Sequence, residues 1–123
     1  MILLYYATNS LSCRKSFAWF EHHNIKTLQK RIECITQKDL IHALSLTDHG
    51  FTDILKRGDL CTIELQAIIK DILTMSFNES IELILNHPEI LRVPLIIDKN
   101  KLLIGHDSEK IRIFIPKSVR KFK

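Results

Sequence analysis

A chain of 123 residues, 46% hydrophobic and 26% charged, has the size and composition of one ordinary globular domain that folds without disulfide or metal. That excludes a disordered, collagen-like or low-complexity chain, and no apolar run nears the ~20 residues needed to span a bilayer. The net charge of +4 is uneven, because residues 99–123 carry eight Lys/Arg against two Asp/Glu and residues 1–98 carry ten against twelve.

Ile2–Tyr6 is an unbroken apolar run that suits a short strand buried on both faces. Met1 to Ala7 is too short, and has no basic flank before it, for a signal peptide. From Ser12 the period changes. Cys13, Phe17 and Phe20 fall at i, i+4 and i+7, one stripe of a helix running to about His23. Ser10 or Ser12 caps it. Asn24 ends it, and residues 25–33 read as a second strand with Ile25, Leu28 and Ile32 as its apolar points. The opening is therefore a strand–helix–strand unit with its loop at a helix N-terminus.

The middle is helical. Thr36-x-x-Asp39 is a start signal, Leu40, Ile41 and Leu44 form the apolar face, and the helix ends before Gly50. Asp48-His49-Gly50 reads as a helix C-cap with glycine in the left-handed region, exposed at a loop tip. Residues 51–56 suit another short helix, and Arg57-Gly58-Asp59 a turn. Residues 62–74 place Leu65, Ile68, Ile69 and Ile72 on one helical stripe. Ser76-x-x-Glu79 is a capping box for a helix that turns Ile81, Ile84 and Leu85 inward and exits at Pro88.

Strand chemistry returns at residues 93–98, with a turn at Asn100 and a hairpin arm at 101–104. Asp107 or Ser108 then starts a final helix through Phe114, stopped by Pro116. The order is βαβ, helices, ββα. The expected fold is α/β: a thioredoxin-like frame at about 1–35 and 88–123, with a helical insertion at about 36–87, in one domain spanning 1–123.

In such a frame a reactive cysteine sits before the first helix, where backbone N–H groups and the helix dipole favour a thiolate. The residues there are Thr8-Asn9-Ser10-Leu11-Ser12-Cys13-Arg14-Lys15. Ser10 forms no disulfide, and no adjacent histidine activates it as a nucleophile. Cys13 has two cations beside it, yet lies on the apolar stripe. It reads either as a buried, inert thiol or as a single-thiol sensor. Cys34 and Cys61 carry no local motif. An odd cysteine count without a leader fits a reducing cytoplasm, and the scattered Cys and His suit no metal site. Arg92-Val93-Pro94 offers one anion-binding side chain and a proline that is often cis at this place in the fold.

These residues resemble the Spx regulators, in the arsenate-reductase-like branch of the thioredoxin fold. The likeness covers almost the whole chain. It rests on Ser12-Cys13-Arg14-Lys15 and Ala18-Trp19-Phe20-Glu21-His22, then Leu46-Thr47-Asp48-His49-Gly50 with Thr52-Asp53. It continues through Asn86-His87-Pro88, Leu91-Arg92, Pro94-Leu95-Ile96-Ile97-Asp98 and Ile104-Gly105, and ends with Ile111-Arg112-Ile113-Phe114-Ile115-Pro116 and Val119-Arg120.

The resemblance implies a cytoplasmic, non-enzymatic transcription regulator, without cofactor or membrane contact, acting in stress or redox response. It implies binding to the C-terminal domain of the RNA polymerase alpha subunit around Asp48, His49 and Gly50, and removal by a cytoplasmic protease that reads a C-terminal tail. Promoter DNA would be met only within that complex, where Lys117, Arg120, Lys121 and Lys123 approach phosphates. Two departures stand out. Ser10 occupies the place of the first cysteine of the family's CxxC switch, also the catalytic cysteine of arsenate reductases. Val93 occupies the place of an arginine before the proline. The sequence given ends at Lys123, soon after the last shared motif, so a short tail is expected. The alternative is a thiol-dependent reductase, glutaredoxin-like or arsenate-reductase-like, using Cys13.

Overall fold

The computed structural model describes residues 1–57 and 61–116, and Lys117, Arg120, Lys121 and Lys123, with Gly58 and Asp59 of the expected turn, lie outside it. The elements run β1 (Ile2–Tyr6), α1 (Leu11–His22), β2 (Thr27–Arg31), a 3-10 turn (Ile32–Cys34), α2 (Gln37–Ser45), α3 (Phe51–Ile54), α4 (Ile63–Ile72), α5 (Phe77–Asn86), a 3-10 turn (Pro88–Ile90), β3 (Leu95–Ile97), β4 (Leu102–Ile104) and a 3-10 helix (Lys110–Phe114). This is the expected βαβ, helical, ββα order.

The chain divides into two compact units, one of Met1–Lys30 with the described residues from Val93 onward, the other of Arg31–Arg92. In the first, the strand order is β2-β1-β3-β4. β1 pairs with β3 antiparallel, Leu4 opposite Ile96, and β3 pairs with β4 antiparallel, Ile96 opposite Leu103. Strand alternation puts Ile2, Leu4, Ile96 and Leu103 on one face. Phe20 of α1 and Ile111 and Phe114 of the 3-10 helix join them in one buried cluster, with the Phe20 and Phe114 rings 5.6 Å apart. In this same unit the buried Ser16 hydroxyl meets His106 Nδ1 at 3.0 Å, tying α1 to the segment after β4.

The second unit is helical. In it, α2, α4 and α5 each start at a side-chain cap. Thr36 Oγ1 accepts from Asp39 N–H at 3.1 Å, Thr62 Oγ1 from Leu65 N–H at 3.3 Å and Ser76 Oγ from Glu79 N–H at 3.3 Å. Ser80 on α5 is fully buried and donates to Ile72 O at the end of α4, which satisfies its hydroxyl inside the packing.

Four local expectations are corrected. The second strand spans only 27–31, because Ile32–Cys34 turns into 3-10 geometry, and Leu28 stands 45% exposed rather than in the core. The final helix is 3-10 over Lys110–Phe114 and not α-helical. Pro116 disfavours helical backbone at Ile115, so the segment stops after about one and a half turns. Ile41, expected on the inward face of α2, is exposed, and Ala43 is buried beside Leu40 and Leu44 instead. Gly50 is not the C-cap of α2. That helix closes at Leu46, and Gly50 is the N-cap of α3.

Candidate functional site

Two places carry the candidate residues. The first is the start of α1. Ser10 has extended backbone, and its hydroxyl accepts the Cys13 N–H at 3.2 Å. It therefore satisfies one of the N–H groups that a helix start leaves open. The cap is Ser10 and not Ser12. Cys13 is 1% exposed, among the buried residues of α1 with Ser16 and Phe20. Helical spacing carries it inward with that stripe, while Arg14 and Lys15 point to solvent. Pro94 follows a cis Val93–Pro94 bond, and its carbonyl accepts from Gly105 N–H at 2.8 Å.

The second place is the segment joining α2 to α3. Asp48, His49 and Gly50 are held there as one turn. Gly50 has φ +68° and ψ −134°, a conformation that L side chains rarely adopt. A Cβ built on it would meet nothing within 4 Å. The turn is tied by two side chains that sequence reasoning left unused. Asp53 Oδ2 accepts the N–H groups of Asp48 at 3.1 Å and His49 at 2.9 Å. Thr47 Oγ1 accepts the Gly50 N–H at 3.0 Å and donates to Leu44 O at 2.7 Å. The His49 ring lies 3.4 Å from Asp53 Oδ1. A threonine three residues before a glycine and an aspartate three after it is the signal that was available.

Arg92 belongs to this second place as well. Its N–H donates to Ile54 O at 2.8 Å, its Nη1 lies 3.5 Å from Asp53 O, and a bridge joins Leu55 to Leu91. The guanidinium thus leans on a backbone carbonyl of α3. Beside Gly50 is an apolar depression of about 370 Å³ lined by Ile41, Leu44, Ser45, Gly50, Phe51 and Phe77. The Phe51 and Phe77 rings are 5.6 Å apart, and Phe77 is 49% exposed.

Elsewhere, Asp107 Oδ1 accepts the N–H groups of Lys110 and Glu109 at 3.0 and 2.9 Å. Those bonds, Lys110 first, hold its carboxyl below the ordinary aspartate value. Asp107 rather than Ser108 therefore holds the turn that leads into the 3-10 helix, whose N-cap residue is Glu109. Among the described residues, no three His, Cys, Asp or Glu side chains gather as a metal site, and no helix is long and apolar enough to cross a membrane.

The architecture is that of the arsenate-reductase-like branch of the thioredoxin fold. It resembles the crystal structure of an ArsC-family-related protein from Bacteroides fragilis at a TM-score of 0.75, with 18% identity, covering 91% of this chain and 95% of that one. Residues 5–114 match the ArsC family. The global transcriptional regulator Spx 2 of Bacillus cereus is 38% identical over 99% of this chain and 92% of its own length. The global transcriptional regulator Spx of Streptococcus pneumoniae is 37% identical over 98% and 90%. The chain belongs to the ArsC family and, within it, to the Spx proteins.

Proposed function

We propose that this protein is a non-enzymatic Spx-type transcription regulator that docks on the C-terminal domain of the RNA polymerase alpha subunit. The docking face is the Asp48–Gly50 turn with the apolar depression beside it. The observation that carries the reading is Gly50. It holds a backbone conformation natural to glycine, its Cβ side faces open space, and it borders an apolar surface that includes a half-exposed phenylalanine. Exposed aromatic and apolar groups beside a preformed turn are what a protein partner buries.

Charge supports the same division. Residues 31–92 contain six Lys/Arg against ten Asp/Glu, and the remaining sequence twelve against four. An acidic helical unit steers toward a basic protein surface, and a basic sheet unit toward nucleic acid. Within a polymerase complex in the cytoplasm, the basic residues up to Lys123 then approach promoter phosphates. Neutralising Lys117, Arg120, Lys121 and Lys123 should reduce promoter occupancy and flatten its salt dependence. Unchanged occupancy at every salt concentration refutes that step.

The reductase alternative needs an accessible thiol at residue 13, and the 1% exposure of Cys13 speaks against it. Calorimetric titration with the isolated alpha C-terminal domain, with and without thiol reductant, tests the main reading. Equal affinity in both conditions, lost on Gly50→Arg, is expected. No heat at hundreds of micromolar (Kd above about 0.1 mM, weaker than about −5.5 kcal/mol) would sink it.

A further inference from the structure

We infer that Thr47 and Asp53 are positioning residues for the partner face, which hold the Gly50 turn in its binding conformation before any partner arrives. The inference rests on the docking reading above and adds what keeps that face in shape.

Three consecutive backbone N–H groups, those of Asp48, His49 and Gly50, are each satisfied by a side chain and not by secondary structure. Asp53 Oδ2 takes the first two and Thr47 Oγ1 the third. The two side chains approach from opposite ends of the turn. Thr47 is anchored on the last turn of α2 through Leu44 O, bonded by both its hydroxyl at 2.7 Å and its N–H at 3.2 Å. Asp53 sits on α3, whose own N–H returns to Gly50 O at 3.1 Å.

The far side of α3 is fixed in turn. Arg92 N–H reaches Ile54 O and Lys56 N–H reaches Ile90 O, both at 2.8 Å, around the Leu55–Leu91 bridge. A four-residue helix has too few internal bonds to be stable alone. Its position is set by these external ties. The turn between α2 and α3 is therefore clamped from both sides by named atoms, while Gly50 supplies a backbone angle that other residues resist.

A turn of this kind gains nothing from burial, since Asp48 and His49 are exposed. Its cost of ordering is met in the free protein by five side-chain-to-backbone bonds, the four of Thr47 and Asp53 and one that Thr52 Oγ1 donates to His49 O at 3.0 Å. A partner that contacts it then pays little for ordering, which is how preorganisation raises affinity without new contacts. Removing the Thr47 hydroxyl or the Asp53 carboxylate transfers that cost to the binding step.

The experiment pairs amide hydrogen exchange in the free protein with titration against the alpha C-terminal domain. Thr47→Val should speed exchange at Gly50, and Asp53→Ala at Asp48 and His49, with thermal stability near that of the parent. Each should weaken binding about ten-fold, the effect of losing a hydrogen bond to a backbone group that must then be reordered. Thr47→Ser, which keeps the hydroxyl, should restore both readouts. Asp53→Asn, which keeps one acceptor oxygen, should restore them in part. A side chain that merely supported the fold would show lowered stability with no link between exchange at these three amides and affinity.

Unchanged exchange in Thr47→Val and Asp53→Ala overturns the clamp. Faster exchange with unchanged affinity, while Gly50→Arg abolishes binding, overturns the positioning role. Undiminished affinity in Gly50→Arg overturns the docking reading itself, and the exchange rates still decide whether the clamp exists. Should either truncation fail to fold, the conservative pair Thr47→Ser and Asp53→Asn decides: exchange at Gly50 must stay slow in the first and rise at Asp48 and His49 in the second.

Discussion

Replacing Gly50 by alanine and by arginine separates backbone strain from obstruction. At φ +68° and ψ −134° an L residue is strained, and holding it there costs about 1–3 kcal/mol. The new Cβ meets no atom within 4 Å, so the first atom that either substitution adds makes no clash inside the protein. Alanine and arginine should therefore lower stability by the same amount, about 3–10 °C in Tm for a chain of this length. They should differ in binding. Strain that the free variant escapes by relaxing the turn is spared in stability and returns on binding. The two losses therefore share that total of about 1–3 kcal/mol, and with full relaxation alanine would weaken binding about 5- to 150-fold with little change in Tm. Arginine suffers that loss and also projects a long charged side chain from the docking face. Thermal unfolding by circular dichroism and calorimetric titration with the alpha C-terminal domain measure the two quantities. An arginine variant far less stable than the alanine variant refutes the open-space geometry. Two variants that bind like the parent refute the placement of the contact at Gly50.

Three further expectations concern the sheet unit and the thiols. Ser10→Ala removes the cap of α1 and should cost about 1 kcal/mol in urea unfolding, with Ser10→Gly costing less; no change in either would mean that water replaces the hydroxyl. Asp107 has a folded-state value held below its ordinary one by backbone N–H groups, so its contribution is present above the ordinary aspartate range and lost as pH falls through the depressed value. The stability gap between the parent and Asp107→Asn should thus be open at neutral pH and close only in strong acid, and a gap that is independent of pH would refute the assignment. An aromatic disulfide reagent should modify exposed Cys34 quickly and buried Cys13 only on unfolding; Cys13 reacting first would favour the reductase alternative.

The parts of the fold that could be read from the sequence are those governed by neighbours in the chain. Thr36, Thr62 and Ser76 mark helix starts because each oxygen bonds an N–H three residues on, so the signal and the structure share one short segment. The unbroken apolar run of β1 and the hairpin around Asn100 are equally local. The errors fall where distant contacts decide. Ile25, Leu28 and Ile32 look alike as apolar points, but Ile32 is buried, Ile25 packs only partly buried against the sheet core, and Leu28 on the edge strand β2 is exposed. The pairing of Ser16 with His106 joins residues ninety positions apart and leaves no trace in either segment. At the site, Asp48-His49-Gly50 looked like the end of a helix because a glycine after a helical run usually is one. The Thr47 hydroxyl changes that outcome by closing α2 early and holding the Gly50 N–H, which frees the glycine to begin α3.

The start of α1 shows why the proposed docking function is placed on the helical unit. A helix N-terminus presents open N–H groups, which a thiolate, an anion or a neutral cap can satisfy. Here a neutral hydroxyl, that of Ser10, takes the Cys13 N–H, and the Cys13 side chain turns into the core. Both features remove nucleophilic chemistry from the place where this fold is suited to carry it. What remains on the surface is a preformed turn, an apolar depression and a strong contrast in charge. Electrostatic contrast of that kind acts on encounter rates and on the choice of partner more than on final affinity. Rising salt should therefore slow association with the alpha domain while leaving dissociation nearly constant, whereas loss of the Thr47 hydroxyl should speed dissociation at every salt concentration.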